Sequence, residues 1–171
     1  MIRPSGPRGQ VWHNMLLTDI LHPSCIKVPL EAQNKQGAIH ELSEVLAHSG
    51  AISDVEAFKE AVWRREQTRT TGIGHGIAIP HGKVAGCDRL VMAAGICKPA
   101  IDFGAIDRQP VDLIFLLGSP LDQTGPHIQA LATISRMLTD VELRERVRRC
   151  QSGKELYQIM AERDASHSAK A

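Results

Sequence analysis

Two dense apolar segments, residues 90–97 and 111–117, constrain the fold of this chain more than any other feature. The first is apolar throughout, and the second is interrupted only by Asp112. Runs of this length are too short for buried helices and are typical of strands that are covered on both faces. We therefore predict two central strands, and a sheet with two covered faces needs helices on each side.

Helical periodicity flanks these runs. Residues 37–49 carry aliphatic side chains on one helix face and stop before Gly50. Residues 124–138 repeat the pattern, with His127 on the apolar face near the start. Capping boxes, in which Ser or Thr is followed three residues later by Glu, predict the starts of three more helices. These pairs are Ser53 with Glu56, Thr139 with Glu142, and Ser152 with Glu155.

This order of elements predicts one α/β domain, a small mixed β-sheet sandwiched by helices. Two shorter strands are expected at residues 25–30 and 77–80. The 171 residues suffice for one domain with a full core. We expect this domain to span residues 15–163. A flexible tail rich in Pro and Gly should precede it at residues 1–14, and a polar tail should follow at residues 164–171.

The composition narrows the class of function. Lys and Arg number 20 and Asp and Glu 19, a net charge of +1, whereas proteins that mainly bind nucleic-acid phosphates are strongly basic. No segment approaches the roughly 20 apolar residues of a membrane span, and no signal-peptide core is visible. The four cysteines lack paired spacing, which indicates free thiols. We therefore expect a cytoplasmic protein without membrane insertion or nucleic-acid binding.

Residues 70–83, TTGIGHGIAIPHGK, carry the most distinctive functional pattern. His81 lies between Pro80 and Gly82 at the end of a short strand. Proline fixes the backbone there, and glycines at alternate upstream positions allow close backbone approach, which should leave room around the imidazole. A histidine presented in this way can act as a base, a metal ligand or a nucleophile that carries a group covalently.

Familiar glycine and histidine motifs do not fit this chain. The glycines are spaced GxGxG and precede a strand, unlike the dinucleotide-binding fingerprint, and Lys83 is not followed by the Ser or Thr of a phosphate-binding loop. His40 and Glu41 begin a zinc-protease-like pattern, but Glu44 stands where the second histidine is needed. A solvated helix face is the favoured interpretation of that segment.

Other residues suit an oxyanion near His81. His127 is predicted at a helix N-terminus, where backbone N–H groups attract anions. Arg65 continues an apolar helix stripe and should therefore seek a phosphate or carboxylate. Phosphate chemistry on a histidine fits this set best, without a metal or cofactor. The residues expected to support the phosphate pocket are Thr70, Thr71, Gly72, Gly74 and Gly76.

Residues 71–83 resemble the phosphorylation-site segment of fructose/mannitol-type enzyme IIA domains of the bacterial phosphotransferase system, above all its nitrogen-regulatory branch. Further matching motifs are Arg65-Glu66, residues 105–113, residues 122–127 and residues 155–159. The resemblance covers roughly residues 15–162. Two positions beside the site depart from the usual pattern: His75 stands where asparagine is frequent, and Arg69 where glycine is usual.

The resemblance implies a mixed sheet sandwiched by helices and a role for three residues. His81 would accept a phosphoryl group from a phosphohistidine on an HPr-type carrier. His127 would steady that group, and Arg65 would be the neighbouring cation. The implied protein is a regulatory phosphocarrier that binds target proteins according to its phosphorylation state.

Three alternatives remain open. The chain could pass phosphate through a IIB component to a fructose/mannitol-type sugar permease. It could be a phosphorylation-independent binding module with a vestigial histidine. A metal-dependent hydrolase using His75, His81 and His127 is disfavoured, because no carboxylate completes such a site.

Overall fold

The structure, a computed structural model, describes residues 15–168. A 3₁₀ turn at Leu17–Asp19 opens this part of the chain. The strands are β1 (Leu21–Leu30), β2 (Gly72–Gly74), β3 (Ile77–Ala78), β4 (His81–Lys83), β5 (Val91–Ile101) and β6 (Val111–Ser119). The helices are α1 (Lys35–His48), α2 (Val55–Thr68), α3 (Thr124–Met137), α4 (Val141–Arg148) and α5 (Gly153–Ser168). None of these helices combines the length and the apolar character needed to cross a bilayer.

The strands form one mixed sheet. The two predicted central strands are β5 and β6, which pair antiparallel. Strand β1 pairs parallel with β5 on one side. On the other side β6 pairs parallel with both β3 and β4, and β2 completes the edge by antiparallel pairing with β3. This mixed sheet with helices on both faces confirms the predicted fold class.

Alternate residues of β6 face opposite helical layers, as the geometry of a strand requires. Ile114 and Leu116 belong to a core that α1 and α2 cover. Leu113, Phe115 and Leu117 belong to a second core, which α3, α4 and α5 cover. The sheet therefore has two buried faces, and this explains the nearly continuous apolar sequence of its central strands.

Strands β3 and β4 follow one another along β6. Ile77 lies beside Leu113, and His81 lies beside Leu117. Pro80 between them has no N–H to donate, but its carbonyl accepts a hydrogen bond from the Leu117 N–H at 3.0 Å. The proline thus keeps the chain in register with β6 and makes His81 the first residue of β4.

Two paired glycines allow α2 to lie directly on the sheet. Gly82 of β4 and Gly118 of β6 are neighbours in the ladder. A methyl group added at Gly82 would lie 2.8 Å from Val62 Cγ2 and 3.1 Å from the Val62 nitrogen. One added at Gly118 would lie 3.0 Å from Phe58 Cε2. The absence of side chains at both glycines sets the distance between α2 and the strand that carries His81.

Two of the predicted capping boxes are displaced by one residue. Asp54, not Ser53, caps α2, and its carboxylate accepts a hydrogen bond from the Ala57 N–H at 3.0 Å. The Ser53 hydroxyl donates instead to the Gly86 carbonyl at 3.1 Å. Aspartate caps helices as well as serine does, so Asp54 takes the cap position while the Ser53 hydroxyl is bound to Gly86.

The box at α4 is displaced in the same way, since Asp140, not Thr139, caps the helix by accepting a hydrogen bond from the Leu143 N–H. At α5 the Ser152 hydroxyl accepts from the Glu155 N–H at 3.2 Å, as predicted.

Helix α5 continues past Arg163 to Ser168, so residues 164–168 are helical where the sequence predicted a polar tail. Asp164 is nine per cent exposed. Its carboxylate accepts hydrogen bonds from the N–H groups of Leu17 and Thr18 and from the Thr18 hydroxyl, at 2.9–3.2 Å. These bonds tie α5 to the start of the sheet. The predicted tail at 1–14, and residues 169–171, lie outside the described residues.

We expect Gly82→Ala to lower the free energy of unfolding by about 1–3 kcal/mol, because the new methyl group pushes against the α2 backbone at Val62. Urea denaturation followed by circular dichroism measures the change. Gly125→Ala is the control, since nothing lies within 4 Å of a methyl group added there. That variant should be unchanged or stabilised by up to about 1 kcal/mol. A Gly82→Ala protein as stable as the wild type would contradict this packing.

Candidate functional site

Strand β4 and the first turn of α3 bring His81 and His127 together. Their ring centroids are 5.2 Å apart, and the ring planes cross at 63°. Residues paired across a ladder point to the same side of the sheet, so His81 shares the side of Leu117, which is the side that α3 covers. These two residues are called the histidine pair below. They converge as the sequence analysis expected.

His81 has a defined proton position. Its Nδ1 lies 2.9 Å from the carbonyl oxygen of Ile79. A carbonyl only accepts hydrogen bonds, so Nδ1 carries the proton and the neutral ring keeps a lone pair on Nε2. Burial lowers the pKa of His81, and the charges of Arg65 and Lys83 lower it further. Nε2 is therefore a free nucleophile on a half-buried ring.

His127 is almost completely buried, with 3% exposure. Its Nδ1 lies 2.6 Å from the hydroxyl oxygen of Ser119, the last residue of β6. Burial is the largest cause that lowers the pKa of His127, to about 4, and the charges of His81, Lys83 and Arg65 add to the effect. His127 is consequently uncharged at neutral pH, and only its hydrogen-bonding capacity is available to a ligand.

Two cations face the histidine pair. Arg65 is half-buried near the C-terminus of α2, and its guanidinium donates to the Arg69 carbonyl at 2.9 Å. Lys83 donates to the Thr124 hydroxyl at 2.9 Å. Both cations lower the pKa of both histidines. With two neutral imidazoles and two positive charges, the site favours an anion.

Sequence reasoning selected Arg65 but missed Lys83 and Ser119. Both could have been found from strand alternation. Lys83 lies two residues after His81 on the same side of β4, and Ser119 follows Leu117 on the same side of β6. A polar residue that continues an apolar stripe is a candidate site residue, and this criterion identified Arg65.

The two predicted threonines lie in the turn that follows Arg65. The Thr71 N–H and hydroxyl both donate to the carboxylate of Glu66, which is 3% exposed and is paired with Lys35 at 2.7 Å. The Thr70 hydroxyl accepts a hydrogen bond from the Gly72 N–H at 3.1 Å. These bonds fix the turn that follows Arg65, and the Thr71 hydroxyl gives its one donor to Glu66.

The predicted glycines lie in the hairpin of β2 and β3 and face away from the histidine pair, contrary to expectation. A methyl group at Gly72 would lie 2.8 Å from Ala105. Gly74 and Gly76 have φ of 99° and 77°, and Gly76 packs against the Arg148 guanidinium. Their missing side chains fit the hairpin against residues 105–112 and α4. They do not clear space around His81.

The two positions that depart from the family pattern also lie in this region. His75 occupies the turn between β2 and β3 with φ of 58°, and its N–H donates to the Asp107 carboxylate at 3.1 Å. Arg69 has φ of −160°, an extended conformation that any residue adopts, so glycine is not required there. Within residues 15–168 no three His, Cys, Asp or Glu side chains form a group that could hold a metal ion.

The buried His127 makes stability depend on pH. Its pKa falls from 6.5 in the unfolded chain to about 4 in the fold. Between these values the unfolded chain binds a proton that the folded chain does not. The contribution is intact above pH 6.5 and is lost as pH falls, by about 3 kcal/mol in all once pH reaches about 4. Between pH 6.5 and pH 4, the free energy of unfolding of the wild type should fall by about 3 kcal/mol more than that of His127→Asn. Urea denaturation at several pH values measures both. Parallel pH profiles would contradict a buried neutral His127.

Comparisons with known proteins identify the family. Residues 19–163 match the family described as "Phosphoenolpyruvate-dependent sugar phosphotransferase system, EIIA 2". A nitrogen regulatory protein of Klebsiella oxytoca is 38% identical over 156 residues, which is 90% of this chain and 94% of that protein. The fructose-specific EIIABC component of Bacillus subtilis is 33% identical over 150 residues, which is 88% of this chain but 24% of that protein.

A solved structure agrees with these sequence matches. The crystal structure of nitrogen regulatory protein IIA-Ntr from Neisseria meningitidis superposes with a TM-score of 0.76 at 30% identity, and the match covers 83% of this chain and 97% of that one. This protein therefore belongs to the EIIA 2 family of the phosphoenolpyruvate-dependent sugar phosphotransferase system, as the motifs around His81 predicted.

Proposed function

We propose that this protein is a regulatory histidine phosphocarrier, which takes a phosphoryl group on His81 Nε2 from the phosphohistidine of an HPr-type carrier. The observation that carries this proposal is the hydrogen bond from His81 Nδ1 to the Ile79 carbonyl. It leaves Nε2 unprotonated beside two cations and a second imidazole. No metal or cofactor is needed for this chemistry.

The transfer balances without an external base. The Nε2 lone pair attacks phosphorus while the bond from phosphorus to the donor nitrogen breaks, and the donor ring keeps that electron pair. The His81 proton stays on Nδ1, where the Ile79 carbonyl accepts it throughout. The transition state is loose, so positioning and charge stabilisation supply most of the catalysis.

The surrounding residues then have distinct tasks. Arg65 and Lys83 balance the charge on the phosphoryl oxygens, and together with burial their positive charge lowers the pKa of His81, which favours the neutral ring. His127, next to the acceptor ring, steadies the group with a hydrogen bond from its N–H. Glu66 brings no uncompensated negative charge, because Lys35 and Thr71 bind its carboxylate.

Similarity supports a regulatory carrier over a transport component. The nitrogen regulatory protein is 38% identical and the fructose-specific component 33% identical, and the IIA-Ntr structure superposes with a TM-score of 0.76. We propose that regulatory target proteins distinguish the phosphorylated from the unphosphorylated form. Transfer to a IIB component is the second candidate, favoured by the fructose-specific relative. The proposed location is the cytoplasm, in keeping with four buried free cysteines.

His81→Ala should abolish labelling when the protein is incubated with phosphoenolpyruvate, enzyme I and an HPr-type carrier, because Nε2 is the acceptor. Site mapping under alkaline conditions, where phosphohistidine survives, should place the label on His81. His127→Ala should still be labelled, but more slowly or with a shorter-lived product. Undiminished labelling of His81→Ala would overturn the assignment, and an unlabelled wild type would favour a binding module with a vestigial histidine.

Arg65→Gln should slow labelling by about tenfold to a hundredfold, because one cation is lost from the phosphoryl oxygens. The adjacent Arg64→Gln is a matched control, since Arg64 is exposed and, among the described residues, its side chain pairs only with Glu60 on the surface of the same helix. Initial rates of phosphate incorporation compare the two variants. Equal rates would show that Arg65 plays no part in the transfer.

A further inference from the structure

Ser119 is a fully buried polar residue beside the histidine pair. It ends β6 on the side of Leu117, and its exposure is 0%. Its backbone carbonyl accepts a hydrogen bond from the Val84 N–H at 3.1 Å, and its Cα is paired with Lys83 in the ladder. The segment that carries His81 therefore also fixes the position of Ser119.

The 2.6 Å contact between Ser119 Oγ and His127 Nδ1 allows two proton arrangements. The serine hydroxyl can donate to Nδ1, which leaves the proton of a neutral His127 on Nε2. Alternatively, Nδ1 can donate to the hydroxyl, which leaves Nε2 as a bare lone pair. A neutral imidazole has one donor and one acceptor nitrogen, so each arrangement fixes what the ring presents to a ligand.

The hydrogen-bond partners of Ser119 Oγ distinguish the two proton arrangements. Ser119 Oγ has no partner other than His127 within residues 15–168, so in the second arrangement the buried hydroxyl proton would be unpaired. The second arrangement would also place two bare Nε2 lone pairs, those of the histidine pair, against an anion. In the first arrangement every polar atom of the contact is satisfied, and His127 offers an N–H.

We propose that Ser119 is a positioning residue that holds His127 in the Nε2-protonated tautomer, so that a neutral N–H faces the phosphoryl group on His81. This proposal rests on the proposed phosphocarrier function. The two histidines then adopt opposite tautomers. The Ile79 carbonyl accepts a hydrogen bond from the Nδ1–H of His81, whereas the Ser119 hydroxyl donates to Nδ1 of His127 and so leaves the proton of that ring on Nε2. One ring is an acceptor of the phosphoryl group, and the other is a donor to its oxygens.

Two-bond ¹H–¹⁵N correlation spectra of the uniformly ¹⁵N-labelled full chain at neutral pH test the tautomers without any phosphorylation. We expect a protonated Nδ1 in His81 and a protonated Nε2 in His127. In Ser119→Ala, His127 should lose this preference and show averaged nitrogen shifts, while His81 is unchanged. A protonated Nδ1 in wild-type His127, or an unaltered tautomer in Ser119→Ala, would overturn the proposal.

Labelling kinetics test the consequence for transfer. Ser119→Ala should be labelled about three- to tenfold more slowly, the effect of one hydrogen bond, and Ser119→Thr should retain the tautomer and most of the rate. Ser43→Ala is the matched control. Ser43 is equally buried, but its hydroxyl donates to the Ile39 carbonyl in the opposite core, so both tautomer and rate should stay as in wild type.

The tautomer spectra and the labelling rates test the positioning role of Ser119 and the phosphocarrier function separately. Failure of wild-type labelling rejects the phosphocarrier function but leaves the tautomer result standing. A changed tautomer with an unchanged rate in Ser119→Ala rejects the positioning role and leaves the phosphocarrier function intact. A slower rate in Ser43→Ala as well would attribute the loss to general destabilisation and would overturn the positioning role.

Discussion

Parallel pairing with β6 is the constraint on which the site depends. The ladder fixes the backbone of His81 beside Leu117 and that of Lys83 beside Ser119. Ser119 in turn contacts His127, so β6 also positions a residue of helix α3. A shift of β4 by one residue would turn His81 toward α2 and separate the histidine pair. The register of three residues therefore determines whether the site exists at all.

The positive charge of the site depends on which charged side chains near it are already paired. The buried carboxylate of Glu66 lies close behind the site, but it is bound by Lys35 and Thr71. Within residues 15–168, the side chains of Arg65 and Lys83 bind only neutral oxygen atoms, a carbonyl and a hydroxyl. The site therefore keeps two positive charges that an incoming anion can use, although the whole chain carries a net charge of only +1.

Sequence reasoning succeeded where one residue type has a single physical explanation. The two dense apolar runs are central strands that helices cover on both faces, as predicted. Arg65, chosen because it continues an apolar stripe, is close enough to the histidine pair to lower the pKa of both rings. Sequence reasoning failed where the local sequence cannot show which residue packs against a given position. Glycine spacing reveals conformational freedom but not which surface requires it, so Gly72 was placed beside His81 although it packs on Ala105. Adjacent Ser53 and Asp54 are equally good caps, and only the contact of Ser53 with Gly86 decides between them.

The carboxylate of Asp164 joins the two ends of the described chain. It holds the last helix against the backbone of Leu17 and Thr18, beside the packing of Leu156 and Met160 in the same core as Leu17. Loss of this carboxylate would therefore weaken both ends together. The ladder of β4 and β6, which assembles the histidine pair, shares none of these bonds.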